Sequence, residues 1–132
     1  MFVDAEPLAE HIGSYMSDRL VIHELVAECR IGVTNEERQR TQTLWIDLEL
    51  EIDAARAAAR DDVYEAVDYA ELVSSVKQLI ESKPYRLLET MAEDIASLVL
   101  GHFATNQVFV RVKKRALPRI DYAAVEVRRH KR

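Results

Sequence analysis

Thr43-Leu-Trp-Ile-Asp-Leu-Glu-Leu-Glu-Ile52 alternates without a break. Leu44, Ile46, Leu48, Leu50 and Ile52 fall on one face, and Thr43, Trp45, Asp47, Glu49 and Glu51 on the other. Strict period two with one apolar set marks a strand with one buried and one mostly wet face. Upstream, Leu20 and Ile22 alternate more loosely, and the apolar run continues through Leu25, Ala27 and Cys29 to Ile31. Gly32-Val-Thr-Asn-Glu-Glu-Arg-Gln-Arg40 separates the two runs and reads as their turn, so they are expected to pair antiparallel.

Downstream, Ala54–Arg60 reads as an Ala/Arg connector ended by Asp61-Asp62. Asp68 stands where a helix N-cap belongs, with Glu71 three residues on. Leu72, Val73, Val76, Leu79 and Ile80 then form one apolar face, and Pro84 stops the helix. A second helix is expected from about Leu87 to Phe103, with Leu88, Met91, Ala92, Ile95, Ala96 and Val99 as its stripe. Two more period-two strands follow, one carrying Val108, Val110 and Val112 and one reading Ala123-Ala-Val-Glu-Val127. The order ββααββ predicts an α+β fold, an antiparallel four-stranded sheet with two helices on one face. Residues 1–17 read as an N-terminal extension and residues 18–132 as a single domain. Trp45, Phe109 and Tyr122 fall on the outward face, which points to a surface covered by subunit packing.

Composition sets the class. The chain has 132 residues, 48% hydrophobic and 31% charged, enough for one core without metal or disulfide staples. A lone Cys29 excludes an internal disulfide framework and fits a reducing cytoplasm. No apolar run reaches the roughly 20 residues of a membrane span. The net charge of −5 hides an asymmetry: residues 1–18 carry four acidic and no basic side chains. Residues 111–132 carry nine basic side chains against Asp121 and Glu126. A solvated last strand and a frayed terminus account for that basic stretch, and no stacking aromatics interleave it, so a nucleic-acid role is not expected.

Chemistry has few places to sit. His11, His23, His102 and His130 are scattered, without the spacing of a metal pair, and the three glycines form no phosphate loop. Cys29 lies inside an apolar strand and reads as core. Glu89 at a helix start can be explained by the helix dipole alone, Tyr69 by structural packing, and Glu37 with Arg38 as a solvated pair in the turn. Lys114 is sharper, because counting by twos from Val108 places it on the inward face of its strand.

Taken together, these residues resemble a known family. Gly32-x-x-x-x-Glu37-Arg38, Gln42-Thr-Leu-Trp-Ile-Asp47, Asp61-Asp62…Val67-Asp68-Tyr69, Leu87-Leu88-Glu89-Thr-Met-Ala92 and Val110-Arg-Val112-Lys-Lys114 stand in the order and at the spacing of the dihydroneopterin aldolases. The resemblance spans roughly residues 19–129. It implies the tunnelling fold, in which sheets of several subunits close into a ring, as a tetramer or stacked octamer with sites between subunits. It implies that Glu89 clamps the pterin with help from the Leu88 backbone, and that Tyr69 and the Val67 backbone come from a neighbouring subunit. Lys114 matches the catalytic lysine and Glu37 the glutamate beside the substrate's hydroxylated side chain. The implied reaction is retro-aldol cleavage of 7,8-dihydroneopterin in folate synthesis, with no metal and no cofactor. A 2′-epimerase of the same family and a non-catalytic pterin binder are the alternatives, and Arg115 with Arg119 would suit the triphosphate that such an epimerase takes. Arg115 stands where many relatives have Pro, which leaves Lys113 as the alternative to Lys114. Arg30-Ile31 replaces an aromatic-His pair.

Overall fold

The computed structural model describes residues 18–115 and 117–132. The extension expected at residues 1–17 therefore lies outside the described residues. The elements are β1 (Asp18–Cys29), β2 (Gln42–Ile52), α1 (Ala54–Arg60), α2 (Tyr69–Glu81), α3 (Leu88–His102), β3 (Gln107–Lys114) and β4 (Ala123–His130). The strands form one sheet in the order β1-β2-β3-β4, every neighbouring pair antiparallel.

The alternation in β2 decides where the core sits. Leu44, Ile46, Leu48 and Leu50 are fully buried beneath the helices. Onto them α2 presents Leu72, Val76 and Ile80, and α3 presents Met91, Ala92, Ile95, Ala96 and Val99. Each large apolar side chain so buried contributes about 2 kcal/mol. Asp68 caps α2 as expected, accepting the Ala70 and Glu71 amides. The Ala/Arg connector is instead a helix, α1. Its residues are nearly all exposed, so it carries no apolar period to read. Alanine propensity and two aspartates shape it: Asp53 accepts the Arg56 amide, and Asp61 ends it at φ 51°.

β1 alternates loosely because it contains a bulge. Its register with β2 shifts between Ile22 and Leu25, and Glu24 there has φ 56°. The inward parity thus changes from Leu20 and Ile22 to Leu25, Ala27 and Cys29, while His23 and Glu24 both serve the outward face.

That outward face is not mostly wet. Asp47 and Glu49 are each only 3% exposed and Lys113 4%. The Glu24 amide donates to Asp47 Oδ1 at 2.7 Å, and the Lys113 ammonium donates to Glu24 Oε2 at 2.7 Å and lies 3.3 Å from Asp47 Oδ2. Arg111 bridges Asp47 at 3.2 Å and Glu126 at 2.7 Å. Phe109 is fully buried within the chain, Trp45 is half-buried under the Arg115 guanidinium at 4.3 Å, and Lys113 sits 5.3 Å from the Tyr122 ring. Cations already stack on rings that the sequence leaves bare for a partner subunit.

The last strand is solvated along most of its length, as expected, but the basic C-terminal stretch is tied down rather than frayed. Arg111, Lys113, Arg115 and Arg129 are in ion pairs, β4 runs to His130, and the Lys131 amide donates to the Asn106 carbonyl at 2.9 Å.

This network makes stability depend on pH. Burial pushes the Asp47 carboxyl up, but the Glu24 amide, Arg111 and Lys113 outweigh it and hold the group below the usual carboxylate range. Glu24 is held down chiefly by its hydrogen bond from Lys113. Both groups bind protons less tightly folded than unfolded. Their contribution is complete above the unfolded pKa near about 4 and is lost as pH falls through the lower folded values. Thermal melting is expected to show Tm dropping below about pH 4, with a shallower drop in Lys113→Met.

Candidate active site

The turn between β1 and β2 is built around Glu37. Thr34 donates to Glu37 Oε1 from its amide at 3.1 Å and from its hydroxyl at 3.2 Å, and the Glu37 amide donates back to Thr34 Oγ1 at 3.2 Å. The side chain lies flat over Gly32, where an added Cβ would stand 2.2 Å from Glu37 Cβ. Arg38 does not pair with Glu37. Its guanidinium instead takes the Gly32 and Val33 carbonyls, both at 2.9 Å. Gln42 holds the turn from the far side, donating its amide to the Ile31 and Glu37 carbonyls.

Lys114 faces this turn. It pairs with Leu44 at the end of β3 on the inward face, 16% exposed, with Nζ 3.8 Å from Glu37 Oε2. The charged group beside it is that carboxylate rather than another cation. The Thr34 amide and Lys114 hold the Glu37 carboxyl below the usual range, so it is ionised at neutral pH. Lys113 points the opposite way, into the network on the outward face.

The start of α3 is docked onto the same turn. The Tyr85 amide donates to the Arg30 carbonyl at 2.9 Å, and the Gly32 amide donates to the Tyr85 carbonyl at 3.0 Å. Tyr85 is buried, and its hydroxyl donates to Asp94 Oδ2 at 2.8 Å. Four residues on, Glu89 is exposed in the first turn of α3, beside half-buried Leu88. No side chain caps this helix start, so its first amides face outward without a helical acceptor. An open hollow lined by Val33, Tyr85, Leu87 and Thr90 adjoins it. A carboxylate among unpaired amides suits a ligand edge with adjacent N–H donors and an acceptor.

Val67 and Tyr69 stand elsewhere. They line a cavity of about 460 Å³ with Leu20, Ile52 and Tyr64. Lys114 is level with Leu44, and this cavity is level with Ile52, so eight residues of β2, ~26 Å, separate the two groups along the sheet. One chain brings Lys114, Glu37 and the start of α3 to one end and Tyr69 with Val67 to the other. Tyr69 is 62% exposed there.

A family model described as dihydroneopterin aldolase (FolB) matches residues 20–128. The chain belongs to the dihydroneopterin aldolase family. It is 36% identical to the dihydroneopterin aldolase of Methylorubrum extorquens, over 85% of this chain and 89% of that one. It is 38% identical to that of Bacillus subtilis, over 76% and 87%. The crystal structure of Escherichia coli dihydroneopterin aldolase in complex with neopterin superposes with a TM-score of 0.82 at 31% identity, covering 85% of this chain and 98% of that one.

Two further side chains near the turn are committed to other contacts. Arg115 turns away from Lys114 to stack on Trp45, with Glu24 at 3.6 Å and Asp121 at 3.8 Å. Cys29 is buried, and burial with the Glu28 and Glu81 carboxylates pushes its thiol up to about 11, which fits a core residue. Sequence reasoning passed over Thr34, although Thr34-x-x-Glu37 has the spacing of a capping box and could have been found by it. It also passed over Gly32 as a point of close approach, and nothing short of the folded turn reveals that.

Proposed function

We propose that the chain cleaves 7,8-dihydroneopterin by a retro-aldol reaction, giving 6-hydroxymethyl-7,8-dihydropterin and glycolaldehyde. The observation that carries this reading is the pairing of Lys114 with Glu37 beside an uncapped helix start bearing Glu89, in a chain of this family. Glu89 accepts two parallel hydrogen bonds from the pterin N3–H and 2-amino group, and the Leu88 backbone adds to the grip. Lys114, through a bound water, takes the proton of the 2′-hydroxyl. The C1′–C2′ bond breaks, glycolaldehyde leaves, and the bonding pair enters the conjugated N5=C6 imine. Tyr69 returns a proton to the resulting enol, or positions the water that does. The pterin imine is the electron sink, so no Schiff base, metal or cofactor takes part. We assign the reaction to folate synthesis in the cytoplasm, a compartment that the single buried thiol of Cys29 suits.

Purified, metal-stripped protein incubated with 7,8-dihydroneopterin, with products followed by chromatography, tests this directly. The aldolase reading expects 6-hydroxymethyl-7,8-dihydropterin as the main product. Dihydromonapterin instead would make the chain an epimerase, and no conversion of the substrate or its triphosphate would make it a pterin binder. The basic pair that favoured a triphosphate is reduced by the structure, since Arg115 is committed to the outward face.

The separation of Lys114 from Tyr69 supports a site completed by a second subunit, in a tetramer ring or octamer. Co-expressing Lys114→Ala with Tyr69→Ala chains is then expected to restore turnover that neither homo-oligomer has. About one quarter of the interfaces in a random mixture carry both native residues. Absence of any recovery in the isolated mixed oligomer would place the whole site within one chain.

A further inference from the structure

We propose that Thr34 is a positioning residue for this reaction, its hydroxyl fixing the Glu37 carboxylate so that one oxygen is held and the other faces Lys114. The proposal rests on the reading of Glu37 as the group that meets the substrate's hydroxylated side chain.

The two oxygens of Glu37 have separate surroundings. Oε1 takes both Thr34 donors, and Oε2 is the atom 3.8 Å from Lys114 Nζ. A glutamate on a surface turn does not hold one rotamer by default, because fixing it costs about 1.5–2 kcal/mol of side-chain entropy. Here two donors from one residue, with Gly32 beneath the carboxyl, restrict it. The charge-assisted contacts to Oε1 also keep the carboxylate ionised.

The rest of the turn is held by bonds that do not use the Thr34 side chain. Arg38 binds the Gly32 and Val33 carbonyls, Gln42 binds the Ile31 and Glu37 carbonyls, and Tyr85 binds the Gly32 amide. Removing the hydroxyl leaves these bonds in place, takes one of the two Thr34 donors from Glu37 Oε1 together with the acceptor of the Glu37 amide, and so loosens the carboxylate. Valine is the matching replacement, equal in shape and equally stiff at χ1. Serine keeps the hydroxyl and drops only the methyl.

The test is steady-state kinetics of the full chain with 7,8-dihydroneopterin on Thr34→Val, Thr34→Ser, Glu37→Gln and the Thr34→Val/Glu37→Gln double variant, with thermal melting of each. The expected result is a fall of about tenfold in kcat for Thr34→Val, the order of one hydrogen bond to a charged group. Thr34→Ser is expected to stay within about twofold of the parent. The double variant should lose no more than Glu37→Gln alone, because Thr34 acts through Glu37. An unchanged Thr34→Val beside an impaired Glu37→Gln overturns the positioning role and leaves Glu37 in the site. Losses that multiply in the double variant, or a Thr34→Val loss that serine does not repair, overturn it as well. A fully active Glu37→Gln removes the reading of Glu37 itself, and the proposal falls with it.

Discussion

Lys114→Ala is expected to lower kcat by about 10³-fold while leaving neopterin binding within a few-fold of the parent. The pterin ring is assigned to Glu89 and the start of α3, and Lys114 to proton transfer at the side chain, so binding and turnover separate. The neighbouring variant is the sharper half of the experiment. Lys113 lies on the opposite face of β3, 2.7 Å from Glu24 Oε2 and 3.3 Å from Asp47 Oδ2. Lys113→Ala takes the buried ammonium from Asp47 and leaves it Arg111 and the His23 ring as basic partners, which costs about 3 kcal/mol of stability. Turnover per folded enzyme is expected to survive. Calorimetric binding of neopterin, steady-state turnover and thermal melting measured on both variants give opposite patterns. If Lys113→Ala abolishes kcat and Lys114→Ala does not, the roles of the two lysines are reversed.

Gly32→Ala is expected to lower kcat/KM by about 10²-fold, the scale of a displacement near 1 Å in a catalytic group. The added Cβ would stand 2.2 Å from Glu37 Cβ and 2.8 Å from Cδ, closer than atoms approach. Glu37 Cβ is tied to the backbone of a turn held by Thr34, Arg38 and Gln42, so the turn itself must shift. Overpacking of this kind costs about 1–3 kcal/mol, enough to read in melting but not enough to unfold the domain. Gly101 supplies the control. It lies inside α3 with nothing within 4 Å of an added Cβ, and Gly101→Ala there is expected to be neutral or to stabilise by up to about 1 kcal/mol. An active Gly32→Ala enzyme would mean that Glu37 need not keep its place.

The sheet and its helices were legible because their signals are local and periodic. The alternation of Leu44 to Ile52, the cap at Asp68 and the stripe of α3 each report themselves within a dozen residues. Lys114 was placed on its face by counting alone, and the structure puts it there. The outward face was misread for a physical reason. Asp47, Arg111 and Lys113 look solvated one strand at a time, and Asp47 and Lys113 are buried, with Arg111 half-buried, because partners 23 to 89 residues apart in sequence converge on the sheet. α1 was missed because an exposed helix has no buried face to mark it. The separation of Tyr69 from Lys114 was visible only as an implication of the family resemblance. In the structure it follows from the register of β2 against β3 and the cavity at the far end of β2.

The bulge at Glu24 has a consequence for how this sheet tolerates gain and loss of residues. Deleting Glu24 from Leu20-Val-Ile-His-Glu-Leu25 leaves a strand in perfect alternation, with Leu20, Ile22, Leu25 and Ala27 all still facing the helices. Glu24 is thus a single-residue insertion into an otherwise complete strand, carried at a left-handed backbone angle. What it adds lies on the other side: an amide for Asp47 and a carboxylate for Lys113. A one-codon deletion would therefore relieve the backbone and keep every core contact of β1, while stripping one of the two carboxylates that let Lys113 stay buried next in sequence to the lysine assigned to the chemistry.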